Sequence, residues 1–155
     1  MPIADSVKFG QNVSIPQPDL VNLFGCTIGD DCMIGPFVEI QAGAEIGNRC
    51  RVQSHSFICE GIKLEDDVFI GHGVMFTNDR NPRASLDDGS PVTKSDWNLE
   101  GVVVGARSSI GSSSVILPGR RIGQNCLIGA GTIVTRDIPS NSIAYGNPMV
   151  IRPRN

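Results

Sequence analysis

An apolar residue returns at every sixth position along this chain: Ile28, Ile34, Ile40, Ile46, Val52, Ile58, Leu64, Ile70 and Phe76, then, after a break, Val104, Ile110, Ile116, Ile122, Ile128 and Val134. Neither the 3.6-residue period of an α-helix nor the two-residue period of a long strand keeps such positions on one face. A short strand followed by a corner does. Three such units close a triangular coil of about eighteen residues, and successive coils stack through parallel hydrogen bonds at roughly 4.8 Å per layer.

Two further positions in the six-residue unit support this reading. Glycine follows the aliphatic residue in eight units (Gly29, Gly35, Gly47, Gly71, Gly105, Gly111, Gly123, Gly129), where a sharp bend is expected. Four places after the aliphatic residue stands a mostly small or β-branched side chain, such as Cys32, Val38, Ala44, Cys50, Ser56, Val74, Ser114 and Thr132, forming a second inward site. Eighteen glycines, ten prolines and 5% aromatic residues suit such narrow coils better than an ordinary core. The expected fold is all-β: a parallel β-helix with one long protruding loop. Residues 1–155 read as one domain, with a capping coil over 1–27 carrying weaker sixes (Phe9, Ile15, Val21), coil blocks over 28–76 and 104–143, a loop over 77–103 and a tail over 144–155. Trp97 is expected to anchor the loop. Arg120 falls on a small inward site, where an unpaired guanidinium would be costly, so it is expected to turn outward.

Charge and cysteine usage bound the partners. The net charge of -3 and the lack of a Lys/Arg-rich run argue against nucleic acid or an anionic membrane surface. No window is apolar enough to span a bilayer and the first residues do not read as a leader, so the cytoplasm is expected. Five cysteines without CxxC spacing point to reduced thiols and not to zinc or disulfides.

The unit [LIV]-G-x-x-[small]-x resembles that of the hexapeptide-repeat acyltransferases, and the resemblance implies a left-handed coil. Longer stretches narrow it: IPQPDLVNLFGCTIG (15–29), IGPFVEIQAGAEIG (34–47), VQSHSFICEG (52–61), VFIGHGVMFTNDRNPRA (68–84) and the closing GAGTIVTRDIPSNSIAYGNP. These resemble the nucleotide-sugar N-acetyltransferases. That resemblance implies transfer of acetyl from acetyl-CoA to the amino group, by family the 3-amino group, of a UDP- or dTDP-linked sugar for surface glycan such as lipopolysaccharide. It also implies a homotrimer, with acetyl-CoA between neighbouring prisms.

Eighteen-residue stacking lets side chains be placed. Asn78 and Asp79 fall at a corner, with Glu60 beneath Asn78 and Gly61 beneath Asp79. His55 and His72 fall on a different edge one layer apart, with Ser54 beneath His72. Amide formation needs an oriented amine and a route for its proton. Asn78 suits orientation, Glu60 or Asp79 could accept a sugar hydroxyl or the amine, and His55 or His72 could act as base. Each also has a plain structural reading: a turn residue for Asn78 and the histidines, a solubilising charge for Glu60 and Asp79. Arg83 would meet a phosphate or fasten the loop. The amides of Gly111-Ser112 and Gly129-Ala130 are candidates for the pantetheine arm, or tight corners only. Arg152 is a candidate for the CoA phosphates, or a solvated tail residue. No metal is expected: the γ-type carbonic anhydrases on similar coils need three histidines, and only His55 and His72 exist here. A non-catalytic scaffold and an acetyltransferase for another amine or a hydroxyl remain as alternatives.

Overall fold

The computed structural model describes residues 1–155, and its architecture is a triangular solenoid. Nearly every strand is two residues long and ends on the residue of the six-residue series. Strands follow one another around three flat sheets of six, seven and six members, each sheet ordered by chain position. This is the parallel β-helix of the left-handed hexapeptide type. Registers run Ile28↔Ile46↔Leu64↔Val104↔Ile122 on the first sheet and Ile34↔Val52↔Ile70↔Ile110↔Ile128↔Ala144 on the second. On the third, Leu23 pairs with Ile40, Ile40 with Ile58, and Phe76 with Ile116. Almost all are fully buried, so the repeat becomes continuous aliphatic columns.

Where the second inward site carries a polar side chain, that side chain is satisfied. Ser56 donates to the carbonyl of Gly71 (2.8 Å), Ser108 to that of Gly123 (2.8 Å) and Ser114 to that of Gly129 (3.1 Å). Cys32 and Cys126 act alike, donating to the carbonyls of Gly47 and Pro139. No buried side-chain nitrogen or oxygen lacks a partner, which removes the usual penalty for polar groups in a core. All five cysteines are free and buried.

The corner chemistry differs from the expected one. The left-handed conformation lies three places after the aliphatic residue, at Asp31, Phe37, Arg49, His55, Asp67, Arg107, Ser113 and Asn125 or at Gly61, Gly73 and Gly131. The glycines directly after the aliphatic residue are needed for another reason. A Cβ on Gly29 would lie 2.7 Å from the carbonyl of Gly47 in the next coil, so close backbone approach selects glycine there.

The ends also differ in detail. The first coil is three-sided, through Ile3↔Leu23, Phe9↔Ile28 and Ser14↔Met33. Leu23 takes the large inward site and Val21 the small one, because the turn at Pro18–Leu20 shifts the register. At the other end the chain does not leave as a plain tail at 144. Ser142–Tyr145 stacks on Leu127–Ile128, then pairs antiparallel with Val150–Pro153, and Met149 is buried over the core. The long insertion leaves the corner after Phe76 and returns at Val102, with the flanking coils in register (Ile70↔Ile110, Phe76↔Ile116). Arg120 does turn outward: its guanidinium binds the carbonyls of Pro118 and Thr135 near the surface.

Candidate functional site on two edges of the prism

The candidate residues gather on two of the three edges. The loop edge carries Glu60, Asn78, Asp79 and Arg83. The edge joining the second and third sheets carries His55, His72, Gly111, Ser112, Gly129 and Ala130, with His72, Ser112 and Ala130 in one column.

At the loop edge, Asn78 does sit over Glu60, but through the backbone. Its side-chain Nδ2 donates to the Glu60 carbonyl at 2.9 Å, while its own carbonyl accepts the N–H of Glu100 at 2.9 Å. Two bonds hold the half-buried Asn78, and its Oδ1 takes no hydrogen bond within the chain, leaving an aimed acceptor. The Glu60 carboxylate is not turned toward Asn78. It pairs with Lys94 at 3.0 Å, a partner 34 residues away that no local pattern discloses. Asp79 is spent on a turn, accepting the N–H of Asn81. Arg83 pairs with Asp87, which is the loop-fastening reading of that residue. Neighbouring Cys59 is buried beside Glu60, and burial pushes its thiol up to about 11. It stays protonated and is no nucleophile at neutral pH.

The loop is built to stay in place. Thr93 and Asp96 cap a short turn over Lys94–Asp96, Arg80 grips Glu100 with two nitrogens, and Leu99 lies against Gly61. Asp96, Trp97 and Glu100 line a polar surface cradle together with Asp79, Arg80 and Arg83. The Arg80 guanidinium holds the Glu100 carboxyl below its usual range, and the Thr93 hydroxyl does the same for Asp96.

On the other edge, His72 exchanges a 2.8 Å hydrogen bond between Nδ1 and the Ser54 hydroxyl, and its backbone N–H donates to Ser112 Oγ at 3.1 Å. The imidazole is therefore oriented by the coil below it. His55 is exposed in the left-handed conformation (φ 64°) and stacks on Phe37, with centroids 4.8 Å apart. Within the cofactor candidates the coil distinguishes two kinds of amide. Those of Gly111 and Gly129 are consumed by the ladder, donating to Ile128 and Ala144. Those of Ser112 and Ala130, one layer apart, take no partner in the chain and point to the same edge. Arg152 lies on the terminal hairpin, where its Nε donates to the Tyr145 hydroxyl at 2.9 Å.

A solenoid whose candidate polar groups sit on its corners, with the core given over to aliphatic columns, is the plan of a repeat-built transferase. The bacterial transferase hexapeptide family (six repeats) matches residues 25–60 and 101–136. The galactoside O-acetyltransferase of Lactococcus lactis is 31% identical over 94% of this chain and 72% of its own length. Other curated relatives are longer, and the chain spans about a third of them, 33% in one case. Among solved structures, a galactoside acetyltransferase in complex with coenzyme A is 28% identical, with a TM-score of 0.73 over 84% of this chain and 66% of that one. The N-acyltransferase AntD from Bacillus cereus, solved with dTDP and coenzyme A, shares the fold at 21% identity, with a TM-score of 0.74 over 96% and 84%. The chain belongs to the bacterial hexapeptide-repeat transferases.

Proposed function

We propose that the protein transfers acetyl from acetyl-CoA to the amino group of a nucleotide-linked amino sugar, the 3-amino group by its motifs, in surface glycan synthesis. The observation that carries this reading is Asn78. It lies within the stretch VFIGHGVMFTNDRNPRA, is fixed by Glu60 and Glu100, and leaves Oδ1 open to accept an N–H of the attacking amine. Such a bond turns the nitrogen lone pair toward the thioester carbonyl. The new C–N bond forms as the C–S bond breaks, and the proton lost by nitrogen passes to the departing thiolate, so no strong base is required. The free amides of Ser112 and Ala130 suit the amides of a pantetheine arm, and a related galactoside acetyltransferase was solved in complex with coenzyme A. Because Asn78 and these amides sit on different edges, the reading calls for a homotrimer in which one prism's loop edge faces its neighbour's cofactor edge. Glu60 acts through Lys94 and the loop, and Arg83 is assigned to the loop. Five free thiols suit the reducing cytoplasm, where both substrates are made.

A second reading is supported by the galactoside relative: the acceptor is a hydroxyl, and His72, oriented by Ser54, removes its proton. A panel of amino-sugar nucleotides and galactosides with acetyl-CoA, read by free-thiol release, tests both. Turnover confined to galactosides would overturn the amine reading.

A further inference from the structure

In a solenoid, position in the chain is position along the axis, so an uneven distribution of charge in the sequence becomes a field. Residues 1–76 carry ten carboxylates against four cations, a net of -6. Residues 104–155 carry six arginines, no lysine and the single carboxylate Asp137, a net of +5. Each of the three sheets is ordered by chain position, so these two blocks occupy opposite ends of the prism.

The pairing pattern sharpens the contrast. Of the seven cations in the first two thirds of the chain, Arg49, Lys63, Arg80, Arg83 and Lys94 have carboxylate partners there and Lys8 and Arg51 do not. None of Arg107, Arg120, Arg121, Arg136, Arg152 and Arg154 does. Asp137, the one nearby acid, accepts the backbone N–H of Arg121 and not a guanidinium. Arg107, Arg121, Arg136 and Arg152 are exposed. Arg107 and Arg120 lie near enough to Asp67 and Glu100 to help lower those carboxyls. Leaving the other four guanidiniums without a carboxylate partner costs self-repulsion, and arginine in preference to lysine favours phosphate.

We propose that the C-terminal half of the prism is an electrostatic funnel that captures phosphorylated ligands and guides them toward the corner column ending at Ser112 and Ala130. Range decides whether the acidic end would cancel it. The last acidic layer, that of Leu64 with Glu65, Asp66 and Asp67, lies two layers from that of Ile122, about 10 Å at roughly 4.8 Å per layer. The screening length is about 8 Å at physiological ionic strength. An anion near the last coils therefore feels Arg121, Arg136, Arg152 and Arg154 more than the carboxylates of the acidic layers, whereas Arg107 stacks one layer above Asp66 and Asp67. The acidic end, in turn, repels unproductive approach. This inference rests on the proposed function, which supplies two phosphate-bearing ligands, CoA and the nucleotide sugar.

The test is stopped-flow association of the intact protein with fluorescently labelled CoA, UDP and uncharged pantetheine over a range of salt. The comparison protein is Arg107→Gln/Arg121→Gln, since neither side chain makes a hydrogen bond. The expected result is an association rate for CoA, UDP or both that falls roughly tenfold from low to high salt and is several-fold lower in the variant at low salt. Pantetheine association should be indifferent to both changes, and dissociation rates should be largely unaltered. Which anion responds identifies the steered ligand. Association of both anions that is as insensitive as that of pantetheine would overturn the funnel while leaving the acetyltransferase reading intact. No binding of either anion at any salt would overturn both.

Discussion

Asn78 is the residue whose geometry is hardest to explain as structure alone. A turn former needs one of its two amide interactions, whereas Asn78 uses Nδ2 and its backbone carbonyl to fix a free Oδ1. Asn78→Ala should therefore lower kcat with acetyl-CoA and the amino sugar by on the order of 100-fold. The CoA dissociation constant should change little, and steady-state kinetics with calorimetry will separate the two. Ala130→Phe should do the reverse, raising KM for acetyl-CoA, because its edge position flanks a free amide. At the corners, Gly29→Ala should destabilise the prism by about 1–3 kcal/mol through overpacking against the carbonyl of Gly47, measurable as a lowered Tm. The glycine at this position was visible in the sequence, but its reason was not. Local bending and backbone approach both select glycine, and only the neighbouring coil distinguishes them.

At the scale of elements, the loop is the feature the sequence defined least. Its polar composition marked it as an excursion, and Trp97 suggested an anchor. The contacts that hold it, Lys94 to Glu60, Arg80 to Glu100 and Leu99 to Gly61, join residues far apart in sequence and carry no period. Glu100 and Asp96 have carboxyl pKa values lowered in the folded loop. Groups of this kind stabilise the fold fully above their ordinary range near pH 4, and the contribution is lost as pH falls through the lower folded values. Fluorescence of Trp97, the only tryptophan, should thus be steady from neutral pH down to about 4 and change below it. Arg80→Gln should move that change to higher pH. A profile unaltered by the substitution would show that Arg80 does not hold the loop.

For the whole molecule, division of the candidate residues between two edges predicts that an isolated prism is inactive. Light scattering should give a trimer at assay concentration, and dilution should lose activity together with trimer. A monomer with full activity would defeat the shared site. The columns make the same point about stability. Ile116 is fully buried between Phe76 and Val134, so Ile116→Ala should cost about 2–5 kcal/mol in chemical denaturation, as a cavity that rigid coils above and below cannot close.

The sequence by itself determined the three-sided parallel coil, because a six-residue period buries every aliphatic residue in that arrangement, while its left hand came from the family resemblance. The stacking of Glu60 under Asn78 and Ser54 under His72 followed by counting. It also determined the charge polarity, since a solenoid maps chain order onto its axis. Only the tertiary structure decided that Glu60 belongs to Lys94 and that Arg83 belongs to Asp87. Which amides stay free at the edge proposed for the cofactor, those of Ser112 and Ala130 and not of their glycine neighbours, was likewise decided there. Those outcomes depend on which hydrogen-bond and charge partners the neighbouring coil and the returning loop bring within about 3 Å, and partner choice at that range is not periodic.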